Sequence, residues 1–198
     1  MTASRQKALV LAASLGLPVN SRLPAVGGHL RPSSAIIERA LCLNVVAAVS
    51  YGLPSQAGRK WVESEGLWLS LTPAEREFLA GAASGASVFR RSVHSLYALA
   101  WLLGLEPSLS PISTVPQDFY KALPDLKSGE PSRRFRARVH CVTEGEALEA
   151  LDIFYCVHWG VREAGLSSAA RFDGLEERRH ALEWALSTET WDEVSLDT

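Results

Sequence analysis

Residues 143–163, TEGEALEALDIFYCVHWGVRE, carry the clearest statement of fold class in the chain. Thr143 and Glu146 form a capping-box signature, in which the hydroxyl accepts from an orphan N–H and the carboxylate returns a bond to the cap. Behind it Leu148, Leu151, Asp152, Tyr155 and Trp159 recur at spacings of three and four, the period of a helix with one apolar stripe. The spacing predicts a long helix ending near Glu163. A carboxylate on such a stripe is costly to bury unless it is paired, so Asp152 demands a partner. His158 and Arg162 fall one turn apart on the neighbouring face.

The same grammar extends in both directions. Toward the C-terminus, Asp173 and Glu176 repeat the capping box and open a helix ending near Leu186. Leu175, Leu182 and Leu186 lie on one of its faces, Arg178 and Arg179 on another. The tail from Glu189 to Thr198 holds four acidic residues and no basic one.

Toward the N-terminus, Thr72-Pro73-Ala74-Glu75 opens a helix running to about Ala83. Gly81 and Gly85 loosen the chain, Ser87 caps a helix over Val88–Leu103, and Gly104 ends it. Ser33 or Ser34 caps a stripe of Ile36, Ile37, Ala40, Leu41, Asn44, Val45 and Ala48, stopped by Gly52 and Pro54. Ser55 opens a short helix bearing Trp61. Residues 1–30 read as an N-terminal helix and loop, with Leu9, Ala12, Ala13 and Gly16 on one face. Arg5 and Lys7 ahead of the run Ala8–Leu17 superficially resemble a signal peptide, but the run is alanine-rich, short and without a small-x-small cleavage site.

Five prolines make residues 105–131 a long loop with one helical turn near Phe119. Beyond it, Arg134, Arg136 and Arg138 alternate with Phe135, Ala137 and Val139, the period of a half-buried strand. The expectation is one all-α domain over residues 1–198, with seven or so helices, at most one short strand or hairpin, and the acidic segment 189–198 docked.

Composition excludes several classes. The chain has 198 residues, 47% of them apolar and 21% charged, enough for a core without metal or disulfide staples. A net charge of −2 argues against broad nucleic-acid binding, and Arg133–Arg138 is too small a cluster to override it. Three widely spaced cysteines, Cys42, Cys141 and Cys156, suit a reducing compartment. No segment approaches the roughly 20 apolar residues of a membrane span. The six tryptophans read first as core anchors and second as an aromatic pocket.

Chemical motifs are sparse. His140-Cys141 and Cys156-x-His158 hold the right atoms for zinc at the wrong spacing, so no metal and no cofactor is expected. Gly81-Ala82-Ala83-Ser84-Gly85 places its first glycine one residue too far for a nucleophile elbow, and phosphate-cradling loops are absent. If the chain were an enzyme, a hydrolase-type site would gather Asp152, His158, Arg162 and Arg178. Asp152 and His158 lie six residues apart, about two-thirds of a turn out of phase, which weakens that gathering. A structural clasp through an Asp152–arginine bridge outweighs it, since ion-pair networks perturb acidities as active sites do.

Several further motifs occur together. They are Gly16-Leu17-Pro18-Val19-Asn20 with Leu23-Pro24, Glu38-Arg39-Ala40-Leu41, Leu71-Thr72-Pro73-Ala74-Glu75 and Ala98-Leu99-Ala100-Trp101-Leu102-Leu103-Gly104. The C-terminal third adds Leu151-Asp152, His158-Trp159, Glu177-Arg178-Arg179-His180-Ala181-Leu182-Glu183-Trp184, Trp191-Asp192-Glu193-Val194 and Asp197-Thr198. The segment Phe89–His94 departs from a pattern of tryptophan, arginine and acid. Together these motifs resemble a bacterial family described as domain of unknown function 4272, and the resemblance implies a bacterial cytoplasmic protein with a docked tail and carries no activity. Arg39, Trp101, Asp152, Trp159, Arg178, Arg179, Trp184, Trp191, Asp192 and Asp197 are the resulting clasp or contact candidates. The expected role is a noncatalytic protein-binding domain, such as an immunity or accessory protein that masks a partner protein. Its contact surfaces would be the proline-rich loop and the tail.

Overall fold

The computed structural model describes residues 2–81 and 86–197 and contains eight α-helices among them, with no strand. They are α1 (Ala3–Ser14), α2 (Ser33–Ser50), α3 (Ser55–Ser64), α4 (Pro73–Leu79), α5 (Ala86–Leu102), α6 (Arg133–Arg136), α7 (Glu144–Glu163) and α8 (Leu175–Leu186). Packing runs in the order α1, α7, α8, α5, α2, with α3 and α4 set against α2. One continuous apolar core joins them, from Ala12 through Val46, Leu99 and Phe154 to Leu182. The fold is a single compact helical domain.

Local signals explain most boundaries. Both threonine boxes form: Thr72 Oγ1 accepts from Glu75 N at 3.3 Å and Thr143 Oγ1 from Glu146 N at 3.2 Å, while each glutamate returns to its cap's N–H. Gly104 ends α5 at φ +69°, and His140 passes so close that a Cβ there would sit 2.1 Å from its carbonyl oxygen.

Five expectations are corrected. The alternation at residues 133–139 does not make a strand: Arg133–Arg136 is one helical turn, in which Arg136 N donates to Ser132 O at 2.9 Å. A strand needs a partner edge, and none lies beside this segment among the described residues. Asp173 does not cap α8. Gly174 does, at φ +73°, because the His94 ring packs so tightly that a Cβ would lie 2.1 Å from its Nδ1. The buried face of α1 is Arg5, Ala8 and Ala12 rather than the face through Ala13, which is exposed. Ser87 is already inside α5, and Pro32 rather than a serine stands at the N-cap of α2. Ala83, Ser84 and Gly85 lie outside the described residues, as does Thr198.

One helix does have the length and apolarity to cross a membrane. The 18 residues of α2 have a mean hydropathy of 1.4, but 72% of them are buried inside the fold, where they form its central wall.

Candidate functional site

Asp152 is 3% exposed on α7, facing α1. Arg5 donates from Nε to Oδ1 at 2.7 Å, with Nη2 2.6 Å from the same oxygen, and Ser4 Oγ donates to Oδ2 at 3.0 Å. The rest of the guanidinium is held by the Leu23 carbonyl at 2.9 Å and the Pro24 carbonyl at 2.7 Å. Both oxygens of the buried acid therefore have partners, and so does the buried cation. The pair forms part of the wall of an open groove of about 550 Å³ with Leu23, Val26 and Leu148.

His158 occupies a different setting. Its Nδ1 lies 2.7 Å from Arg179 Nη1. A guanidinium can only donate, so Nδ1 is the acceptor and the neutral ring carries its proton on Nε2. That nitrogen is 3.4 Å from Glu176 Oε1 without a hydrogen bond, the separation of a latent ion pair. Burial first, then the Arg179 charge, holds the pKa of the imidazole below its ordinary value, so the neutral form is favoured. Arg179, 1% exposed, also donates to Glu183 Oε1 at 3.1 and 3.0 Å and to the Leu196 carbonyl at 3.2 Å. Its guanidinium stands 4.6 Å from the Tyr155 ring centroid, and Arg5 stands 5.9 Å from the same ring.

Arg178 is completely buried and turns elsewhere, because adjacent helix residues diverge by about 100°. It donates to the carbonyls of Ser113, Pro111 (3.3 Å) and Asp173 (2.8 Å), tying the proline-rich segment to the start of α8. Arg162 is exposed, and its charge adds to the depression of His158. Asp152, His158 and Arg178 thus occupy separate settings, with Arg162 on the His158 side, and His158 does not line the Asp152 groove.

Four of the predicted clasp residues are brought together. Arg39, Trp184, Trp191 and Asp192 line a cavity of about 620 Å³ between α2, the start of α4 and the tail. Arg39 is 4% exposed, paired with buried Glu75, and lies 4.9 Å from the Trp191 ring centroid. Trp191 packs edge-on against His180 at 4.5 Å and Trp184 at 5.4 Å. Trp101 packs against the core and Trp159 is half-buried, whereas Asp197 is exposed.

Sequence reasoning missed Arg5, read as a basic flank, and the role of Glu75 beyond its cap. The signal for Arg5 was present: it shares a helical face with Ala8 and Ala12, just as Asp152 shares one with apolar residues.

The zinc-like pairs hold no shared chemistry. Burial pushes the Cys156 thiol up to about 11 and the Cys42 thiol to about 12, so both are inert at neutral pH. Among the described residues no three His, Cys, Asp or Glu side chains gather as a metal set.

Neither the curated proteins nor the solved structures contain a match to this chain. A family model covers nearly all of it, however, over residues 4–194, and the chain belongs to that family, described as a domain of unknown function (DUF4272).

Proposed function

We propose that this chain is a noncatalytic protein-binding domain, in its most concrete form a bacterial cytoplasmic immunity or accessory protein that masks a partner. One observation carries this reading. The groups of the C-terminal third that could do chemistry are held by the fold at their reactive atoms: both oxygens of Asp152 by Arg5 and Ser4, the basic nitrogen of His158 by Arg179, and Arg178 by three carbonyls. A general acid or base needs a lone pair or proton directed at substrate, and a nucleophile needs an adjacent base.

Contact surface is available by contrast. The proline-rich segment exposes Tyr120 (67%) and Ile112 (40%), and Tyr51 (66%) lines the same groove as Tyr120. Tyrosine is among the residues that dominate interface energetics.

The test is capture from a lysate of the source bacterium on the tagged full chain at native expression, with mass spectrometry of what elutes. One protein in near-stoichiometric yield is the expected result. Repeated recovery of the chain alone overturns the reading.

A further inference from the structure

Between the α2–α3 turn and the second half of the proline-rich segment lies a groove of about 690 Å³. Its floor is apolar: Leu53 and Leu126 are each only 9% exposed, and Ala48 and Leu123 complete it. Asn44 supplies one polar group from α2, with Nδ2 donating to the Pro124 carbonyl at 3.3 Å. Tyr51 and Tyr120 stand at the rim. A smaller recess of about 100 Å³ continues it, sharing Lys121, Leu123, Pro124 and Glu130 and adding Arg134 and Arg138.

The rim charges do not cancel. Lys121, Lys127, Arg134 and Arg138 outnumber the groove's own carboxylates, Asp125 and Glu130, with Arg134 paired to Glu130 at 3.6 Å and Asp118 just outside, on a chain whose net charge is −2. Both carboxylates are engaged locally. Asp125 accepts from Lys127 N at 3.0 Å and Ser128 N at 3.4 Å, and Glu130 Oε2 accepts from Asp125 N at 3.0 Å. Lys127 Nζ makes no hydrogen bond or ion pair among the described residues, and Lys121 has only Asp118 at 3.7 Å. Counting Asp118, the groove keeps one positive charge in excess over an apolar floor, and Lys127 and Arg138 are its cations without a carboxylate partner.

We infer that this groove receives an acidic segment of a partner protein that places an aromatic or aliphatic side chain on the Leu53–Leu126 floor between Tyr51 and Tyr120. The inference rests on the protein-binding reading above and names its site and the chemistry of its partner. The volume suits a few side chains rather than a globular face. A peptide spaces its charges and can keep them clear of Asp125 and Glu130. A polynucleotide sets a phosphate at every step and meets both carboxylates.

The experiment is fluorescence anisotropy of the full chain with three labelled probes at low salt. They are a short peptide of glutamates interspersed with phenylalanine and leucine, the same peptide with glutamine for every glutamate, and single-stranded oligouridine. The acidic peptide is expected to bind about tenfold more tightly than its glutamine counterpart, the scale of one good charge contact. Lys127→Glu should weaken it about tenfold and Tyr120→Ala by a similar factor, with Lys7→Glu, in α1, as an unaffected control. All three positions are exposed, and circular dichroism verifies that the variants fold. Equal binding of the two peptides, tighter binding of oligouridine, or indifference to Lys127→Glu overturns the inference. Lysate capture with the same variants separates the two readings: a partner captured equally by Lys127→Glu removes this groove and leaves protein binding intact. Acidic-peptide binding at the groove with no protein ever captured does the reverse.

Discussion

Two clasps close this fold, and they are built from different chemistry. At the N-terminal side Arg5 meets the carboxylate of Asp152, opposite charges with every polar atom of the pair engaged. At the C-terminal side Arg179 meets a neutral imidazole and, through the same Nη1, the Leu196 carbonyl. Both bury an arginine against α7. The first balances charge across the two helices, whereas Arg179 takes its carboxylate, Glu183, from its own helix. The contact of Arg179 with α7 depends on His158 remaining unprotonated, which sets a pH limit on this end of the fold.

The sharpest way to break this comparison is to remove one partner of the charged clasp. Asp152→Ala leaves a buried guanidinium unpaired and should destabilise the chain by about 3–5 kcal/mol, measured by urea unfolding. Replacing both partners, Arg5→Met with Asp152→Leu, should cost far less than the sum, because no orphan charge remains. Additive losses would show that the two side chains do not act as a pair.

Next in size is the response to acid. Burial holds His158, His180 and His94 below the ordinary 6.5. The unfolded chain therefore takes up protons that the folded chain refuses, so stability is complete above about pH 6.5 and falls as the pH drops below it. Carboxylates such as Asp173 and Glu146 are shifted down from 3.8 and 4.5, so their loss begins only in stronger acid and leaves this window to the histidines. Between about pH 7 and pH 5.5 the unfolding midpoint should fall, and amide exchange in residues 188–197 should rise as Arg179 is repelled. His158→Gln keeps an acceptor for Arg179 but cannot protonate, and should flatten both trends. An unchanged slope in that variant would assign the effect to His180 and His94.

The comparison also shows where sequence reading succeeds. Thr72–Glu75 and Thr143–Glu146 are self-contained, each cap finding its partner three residues away, and both were legible. Arg5 and Asp152 are separated by 147 positions, so the acid's need for a partner could be read while the partner itself could not. Residues 133–139 misled because alternation records only which side chains are apolar. Phe135 is the one fully buried member, and a single turn satisfies it as well as a strand would. Asp173 misled because the capping pattern was met in composition, while the close approach of His94 handed the cap to Gly174.

The tail clasp at Trp191 gives an intermediate effect. Trp191→Ala removes ring contacts to His180 and Trp184 and uncovers Arg39, but the ring is only half-buried. The loss should be about 1–2 kcal/mol, below the usual cost of a fully buried aromatic, read from the same urea midpoint. A loss as large as that of Asp152→Ala would mean the tail carries as much of the fold as α1 does.

The smallest effect belongs to a pair that looks similar on paper. Lys7 Nζ lies 2.8 Å from Glu149 Oε1, on the same pair of helices as Arg5 and Asp152, yet its side chains are 64% and 41% exposed. Water already solvates both charges, and ordering two long side chains offsets the attraction. Lys7→Ala should therefore change stability by no more than about 0.5 kcal/mol, and added salt should erase the difference. The two bridges share their helices and nearly their length, so burial alone separates a pair whose loss unfolds much of the population from one whose loss is barely measurable. If Lys7→Ala matched Asp152→Ala, contact between α1 and α7 rather than desolvation would be setting the energy of both.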